Sequence, residues 1–148
     1  MIQRKQTLFL LAAIVLLVIC MSSQVATFFD DSGTSFAQMY NLWLTDGQGH
    51  HSFQSAPLFI SLLLTILLSV VNIFLYTRRK LQANLCLVGM FLLVGWYVLL
   101  AVLPQSIGGE LVLEWPSSLP AVSIILMFLA RKGILADEKL VRSLDRIR

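Results

Sequence analysis

The chain has 148 residues, of which 57% are hydrophobic and 13% are charged, and its formal net charge is +3. A soluble domain has roughly 25% charged residues, so this composition excludes an ordinary water-soluble globular protein. Because a helix needs about 20 apolar residues to cross a bilayer, the length accommodates about four spans and little else.

Positive charge is distributed unevenly along the chain. All eleven Lys and Arg residues lie within three segments, 4–5, 78–80 and 131–148. The segments 30–56 and 104–116 contain acids and no Lys or Arg. The positive-inside rule therefore predicts that both termini and the turn at 78–80 lie in the cytoplasm, whereas 30–56 and 104–116 form outer loops.

Four apolar stretches are predicted to be transmembrane helices. They cover about residues 8–29, 57–77, 81–103 and 117–135. In the last of them the uncharged part ends at Ala130, which is short for a span. It is expected to recruit Trp115 and Pro116 or residues 131–135 by snorkelling, or the bilayer must thin. The prediction is an all-α membrane protein, a single domain over 1–148, built as two helical hairpins with both termini inside.

The first outer loop is the longest segment outside the spans. Phe36, Met39, Tyr40 and Trp43 recur at helical spacing, which favours a short helix along the outer headgroup layer. A Gly-rich turn follows, and its candidate metal ligands are Asp46, His50 and His51. The second outer loop leaves both a strand and an interfacial coil open.

Small polar residues recur along one face of the second predicted span. Ser61, Thr65, Ser69 and Asn72 are spaced by four, four and three residues. This pattern favours a helix-packing seam with interhelical hydrogen bonds, and the alternative is a polar translocation path. Asn72 is also expected to bond with Asn84 across the turn between the second and third spans.

The tail at 136–148 changes in composition to alternating charged and apolar residues. An apolar stripe with a cationic complement predicts a basic amphipathic helix on the cytoplasmic face of the membrane. Anionic lipid headgroups are its expected contact, and a protein partner is the alternative. The residues expected to make these contacts are Arg78, Arg79, Lys80, Lys139, Arg142 and Arg146.

Several function classes are disfavoured by the residues. The four spans carry no Asp, Glu or His, which disfavours a proton-coupled carrier. P-loop, GxGxxG, CxxC and HExxH patterns do not occur in the sequence, and no cofactor is expected. Cys20 and Cys86 lie within apolar runs and are expected to be small buried residues. The basic tail lacks aromatic residues for stacking, so a nucleic-acid partner is not expected.

Both ends of the chain carry a recognisable motif. The segment 1–7 reads MIQRKQT and the segment 137–146 reads DEKLVRSLDR. Together they resemble a Bacteroidota-type family of small four-span inner-membrane proteins of unknown function. The resemblance implies a fold and a location in the bacterial inner membrane, and it brings no activity, ligand or catalytic residue.

The residues favour a non-enzymatic function over catalysis. The expected role is an interaction or assembly subunit of a membrane complex, with another membrane protein or a second copy as its partner. The alternative is a binder of lipid or a small hydrophobic ligand, with a pocket between the Ser61, Thr65 and Ser69 face and the outer loops. A metal-dependent enzyme at the outer face, using His50 and His51, is the third hypothesis.

Overall fold

The computed structural model of the protein describes residues 3–145 and consists of four long helices with a β-sheet at one end. The helices are α1 (Gln3–Ser22), α2 (Ala56–Phe74), α3 (Arg79–Val102) and α4 (Leu119–Asp145). The strands are β1 (Gln24–Phe29), β2 (Ser35–Tyr40), β3 (Leu44–Asp46), β4 (His51–Ser52) and β5 (Glu110–Leu113). Short 3-10 turns lie at Phe53–Ser55, Leu103–Ser106 and Trp115–Ser118.

The helices form an up-and-down bundle in which each packs against two neighbours, in the ring order α1, α2, α3, α4. All five strands are inserted where α1 and α3 finish and where α2 and α4 begin. We call this the sheet end. The opposite end holds residues 3–7, 75–80 and 131–145, and therefore all the Lys and Arg residues that the structure describes, so we call it the basic end.

All four helices are long and apolar enough to cross a membrane, judged by length and composition. Only 28% of the residues in each apolar window are buried within the bundle. The outward faces carry large apolar side chains such as Leu8, Phe74 and Phe91, each more than half exposed. Such extensive apolar surface is unfavourable in water and suits a lipid environment, as expected for a multi-pass membrane protein.

The sheet corrects two sequence predictions. The first apolar stretch was predicted to be helical over 8–29, but α1 ends at Ser22 and residues Gln24–Phe29 form β1. The short helix predicted around 36–44 is instead β2 and β3. The fold is therefore not all-α, because a five-stranded antiparallel sheet in the order β4-β3-β2-β1-β5 closes one end of the bundle.

Local chemistry explains why the chain changes from helix to strand after Ser22. The hydroxyls of Ser22 and Ser23 donate to the carbonyls of Val18 and Ile19, at 3.0 and 2.7 Å, and so satisfy acceptors in the last turn of α1. The following segment has the β-branched and aromatic composition that strands favour. It pairs with β2 on one side and β5 on the other, which satisfies its backbone on both edges.

The second outer loop, where strand and coil were both open, contains β5. Residues 110–113 pair with 26–29 of β1, and this pairing joins the connection between α3 and α4 to the end of α1. Pro120 lies in the first turn of α4, where its missing N–H costs little, and an α3 side chain bonds to the backbone on either side of it. Tyr97 Oη donates to the Ser117 carbonyl at 2.7 Å and accepts from the Ala121 amide at 3.0 Å.

A fully buried asparagine joins the sheet to three helices. Asn41 follows β2, and its Nδ2 donates to the carbonyl of Cys20 in α1 at 2.7 Å. Its Oδ1 accepts from Trp96 Nε1 of α3 at 3.0 Å, and its carbonyl accepts from the amide of Phe59 in α2 at 3.2 Å. This one residue therefore fixes the position of the sheet on the bundle.

The tail does not form a separate helix within the described residues. Helix α4 continues without interruption from Leu119 to Asp145, where residues 117–135 had been predicted as a span and 136–148 as a separate surface helix. Gly133 lies within it and packs against α1, since a Cβ atom there would lie 3.1 Å from Gln6 Cγ. Gly133 allows α1 and α4 to approach closely, and α4 continues through it.

The polar face predicted on α2 does turn towards the bundle, with Thr65, Ser69 and Asn72 buried and Ser61 half-buried. The hydroxyls of Ser61, Thr65 and Ser69 donate at 2.8 to 2.9 Å to carbonyls of their own helix. The interhelical bonds expected from these three hydroxyls are therefore not formed. Thr65 lies beside α3 at Gly89, where a Cβ atom would be at an ordinary van der Waals distance of 3.8 Å from Thr65 Cγ2.

The bond expected between Asn72 and Asn84 is also not formed. Asn72 Nδ2 donates to Cys86 Sγ at 3.0 Å, and Gln82 Nε2 donates to the Asn72 carbonyl at 3.1 Å. Asn84 is exposed. On an α-helix, residues 82 and 86 share a face and residue 84 lies on the other side, which explains the difference. Cys20 and Cys86 are both buried and form no disulfide bond.

Candidate functional site

An open groove with a volume of about 720 Å³ lies at the basic end of the bundle. One wall is the turn between α2 and α3, and the other is the last part of α4. Both basic side chains and apolar or aromatic side chains line it. The residues that line it are Tyr76, Thr77, Arg78, Arg79, Lys80, Leu81, Glu138, Val141 and Arg142.

The groove unites two of the three positively charged segments of the sequence. Arg78 ends the turn after α2, and Arg79 and Lys80 lie in the first turn of α3 instead of within the turn itself. Arg142 comes from α4 and pairs with Glu138 one helical turn earlier at 3.0 Å. The groove therefore contains four cationic groups and one carboxylate, and the positive dipole end of α3 adds to this potential.

A buried polar cluster holds the walls of the groove together. Gln6 Nε2 of α1 donates to Asp137 Oδ2 of α4 at 2.6 Å, and both residues are buried. Arg79 Nη1 donates to the Asp137 carbonyl at 3.2 Å. The N-terminal helix, the start of α3 and the last part of α4 are thus joined at one residue, which fixes the spacing between the two walls.

We expect Gln6→Leu to lower the free energy of unfolding by about 2 kcal/mol, because it leaves the buried Asp137 carboxyl without its side-chain partner. The double variant Gln6→Leu/Asp137→Leu should recover much of this loss, since replacing both partners by apolar groups can be nearly neutral. Thermal unfolding of the single and double variants in detergent measures the coupling. Equal stability of Gln6→Leu and the unsubstituted protein would show that the contact contributes nothing.

Two further residues, Lys139 and Arg146, were predicted to contact lipid or a partner. Lys139 is exposed on α4 but does not line the groove. Arg146 lies outside the described residues. Sequence reasoning had identified Arg78, Arg79, Lys80 and Arg142, but not Tyr76, Leu81 or Val141, which give the groove its apolar surface. Proximity to the basic turn in sequence was the available signal for Tyr76 and Leu81.

The three candidate metal ligands lie together at the sheet end but do not form a chelating group. His51 Nδ1 is 3.2 Å from Thr45 Oγ1, and the His51 ring packs edge-on against Trp43. Asp46 Oδ1 accepts from the Gly47 amide at 2.7 Å. Within residues 3–145 no three His, Cys, Asp or Glu side chains are placed to share a metal ion.

The sequence was compared with known protein families and with curated proteins. The profile of one family, described as "Domain of unknown function (DUF4293)", matches residues 2–147. Since the match covers nearly the whole chain, the chain belongs to this family. The search of curated proteins found no match.

Proposed function

We propose that this member of the DUF4293 family is a non-enzymatic subunit of the bacterial inner membrane, oriented with both termini in the cytoplasm, and that its groove binds anionic phospholipid headgroups. Its role is to interact with and support the assembly of a membrane complex. The observation that carries the lipid proposal is the convergence of Arg78, Lys80 and Arg142 on one groove where the apolar helices end.

The orientation is supported by the segregation of charge. The nine Lys and Arg residues within residues 3–145 all lie at one end of the bundle, and five of the eight acids of the sequence lie at the other. The cytoplasmic leaflet of a bacterial membrane attracts basic segments near the ends of spans. The resemblance of both terminal motifs to an inner-membrane family is consistent with the same placement.

The composition of the groove favours a lipid over a soluble anion. Tyr76 is 60% exposed, Leu81 42% and Val141 41%, so apolar surface lies directly beside the cationic groups. An anionic phospholipid satisfies both kinds of surface, because its phosphate accepts hydrogen bonds from Arg and Lys while its acyl chain covers the apolar side chains. A free anion would cover only the charges.

The test is lipid selectivity measured by native mass spectrometry of the purified protein with phosphatidylglycerol and phosphatidylcholine. The groove variant is Arg78→Gln/Lys80→Gln/Arg142→Gln. We expect it to lose about thirtyfold in affinity for phosphatidylglycerol. This is less than three independent charges would contribute at about 1 kcal/mol each, because Arg142 is already paired with Glu138.

A matched control has the same change in charge at the same end of the bundle. Lys5→Gln/Lys132→Gln/Lys139→Gln alters three exposed lysines that do not line the groove. We expect this variant to retain most of the selectivity. Equal losses in both variants would mean that only diffuse charge attracts the lipid, which would overturn the groove as a site.

The assembly role has its own test. The tagged protein is purified from its native membrane in mild detergent, and the co-purifying proteins are identified by mass spectrometry. A stoichiometric membrane-protein partner is the expected result, and its absence together with a monomeric chain would contradict the assembly role. A partner lost only in the groove variant would show that an acidic protein segment occupies the groove instead of lipid.

A further inference from the structure

The two walls of the groove at the basic end repeat one combination of side chains. Each wall has basic groups beside apolar or aromatic surface. The residues of the wall at the start of α3 are Tyr76, Arg78, Lys80 and Leu81, and those of the wall on α4 are Val141 and Arg142. A phospholipid presents the matching combination, because its phosphate lies directly beside its acyl chains. Each wall therefore has the composition of a separate phosphate position.

The α3 wall has two cations that are not engaged by the protein. Among the residues that the structure describes, Arg79 donates to the Asp137 carbonyl at 3.2 Å and so joins the two walls. The side chains of Arg78 and Lys80, on either side of it, form no hydrogen bond or ion pair within residues 3–145. Both also line the groove, so they are available to one phosphate.

The α4 wall has one cation, and an internal carboxylate competes for it. Arg142 Nη2 lies 3.0 Å from Glu138 Oε1, one helical turn earlier. The Arg142 side chain is 63% exposed and that of Glu138 is 18% exposed, so the guanidinium can still be approached from the open side of the groove. A phosphate that arrives there on its own gains little, because the charge of Arg142 is already compensated.

The two positions lie at a spacing that a single lipid can bridge. The walls meet where Arg79 bonds to Asp137, and Arg142 is five residues further along α4, a rise of about 7.5 Å. In a diphosphatidylglycerol the phosphorus atoms are joined through one glycerol by the chain P–O–C–C–C–O–P. Such a chain spans about 7 Å when it is extended. The groove volume of about 720 Å³ accommodates both phosphates.

We propose that the groove prefers a lipid with two linked phosphates, of the diphosphatidylglycerol class, over lipids with one. One phosphate binds Arg78 and Lys80, and the other binds Arg142 in competition with Glu138. The link makes the second contact intramolecular, which raises the effective concentration of the second phosphate. This inference rests on the proposed function, since it names the anionic lipid that the groove selects.

Two separate phosphatidylglycerol molecules are the competing occupants. They offer the same phosphates and acyl chains, but the second molecule has to compete with the Glu138 carboxylate without the help of a link. Two separate lipids therefore give a tight and a weak binding event, whereas one linked lipid gives a single event at higher affinity. The number of lipids bound and their dissociation constants distinguish the two cases.

Native mass spectrometry of the purified full chain in detergent, titrated separately with diphosphatidylglycerol, phosphatidylglycerol and phosphatidylcholine, measures both quantities. We expect one diphosphatidylglycerol per chain, bound about fivefold more tightly than phosphatidylglycerol, the factor that one further basic contact contributes. A ratio of about two or less, which the two equivalent phosphates alone would give, would overturn the inference and leave a general site for anionic lipid. No preference of either anionic lipid over phosphatidylcholine would instead contradict the proposed function.

Variants on α4 identify the second position. Arg142→Gln should reduce the ratio to about two and change the affinity for phosphatidylglycerol by less than about twofold. Lys139→Gln is the matched control, because it removes the same charge from an exposed position outside the groove and should retain the fivefold ratio. Equal ratios in these two variants would show that Arg142 is not a phosphate position and would overturn the inference.

A second pair of variants tests the competition with Glu138. Glu138→Gln should raise the affinity for diphosphatidylglycerol about threefold, because it frees Arg142 for the second phosphate. The same substitution in the Arg142→Gln background should leave the affinity nearly unchanged. Equal gains in the two backgrounds would show a diffuse electrostatic effect of the carboxylate and contradict the competition for Arg142.

Discussion

Replacing Asn41 with leucine should lower the free energy of unfolding by about 2–4 kcal/mol. The side chain is fully buried and bonds to α1 through the Cys20 carbonyl and to α3 through Trp96 Nε1. Leucine has a similar volume, so the loss arises from the missing hydrogen bonds and not from a cavity. The indole N–H of Trp96, which is itself fully buried, is left without its acceptor.

The measurement is thermal unfolding of the purified protein in detergent, followed by circular dichroism. Asn84→Leu is the matched control, since the residue is exposed on α3 and should change stability by about 0.5 kcal/mol or less. Loss of Trp96 near-ultraviolet dichroism in the Asn41 variant would accompany the destabilisation. If both variants unfold at the same temperature, Asn41 does not hold the sheet on the bundle.

Alanine at Gly109 should destabilise the sheet more than alanine at the adjacent Gly108, by about 2 kcal/mol. Both glycines have positive φ, 79° at Gly108 and 83° at Gly109, so an alanine at either position strains the backbone to a similar extent. At Gly108 an added Cβ meets no atom within 4 Å. At Gly109 it would lie 2.8 Å from the Phe29 carbonyl oxygen and 2.8 Å from Phe36 Cε1.

The Gly108 variant therefore serves as the control for backbone strain, and the difference between the two variants measures the steric clash. Hydrogen exchange of the β1 and β5 amides reports the effect locally, because Phe29 pairs with Glu110 at the start of β5. We expect faster exchange in Gly109→Ala than in Gly108→Ala. Equal exchange in the two variants would contradict a close approach of the backbone at Gly109.

The helical part of the fold could be predicted because hydrophobicity and charge are properties of short segments. Pro57 lies in the first turn of α2, and α3 begins at Arg79 after a short turn. Both helix starts lie close to the boundaries predicted from the sequence. That the basic segments at 78–80 and 131–145 lie on the same side could also be predicted from the sequence. Two positively charged segments at one end of the spans must lie near each other in a bundle this small.

The sheet and the buried polar contacts depend on residues far apart in the sequence, and no local pattern reports them. Residues 24–29 continue the apolar run of α1, so their strand-favouring composition did not by itself separate them from the helix; the strand forms where they pair with residues 35–40 and 110–113. Gln6 and Asp137 are separated by 131 positions and bond directly. The helical spacing of aromatic residues at 36–44 wrongly predicted a helix. In the structure Ala37 and Met39, two residues apart, are the buried residues, which is the periodicity of a strand.

The ring order of the helices has a consequence for the timing of synthesis. Of the four helices, α1 is made first and packs against α4, which is made last. Similarly, β1 pairs with β5, which is made long after it. Until α4 has been made, Leu10, Ala13 and Leu17 of α1 have lipid beside them in place of their eventual protein neighbours. The bundle therefore closes only after α4 has been made, and a chain cut short before α4 presents an unfinished seam to membrane proteases and to other nascent helices.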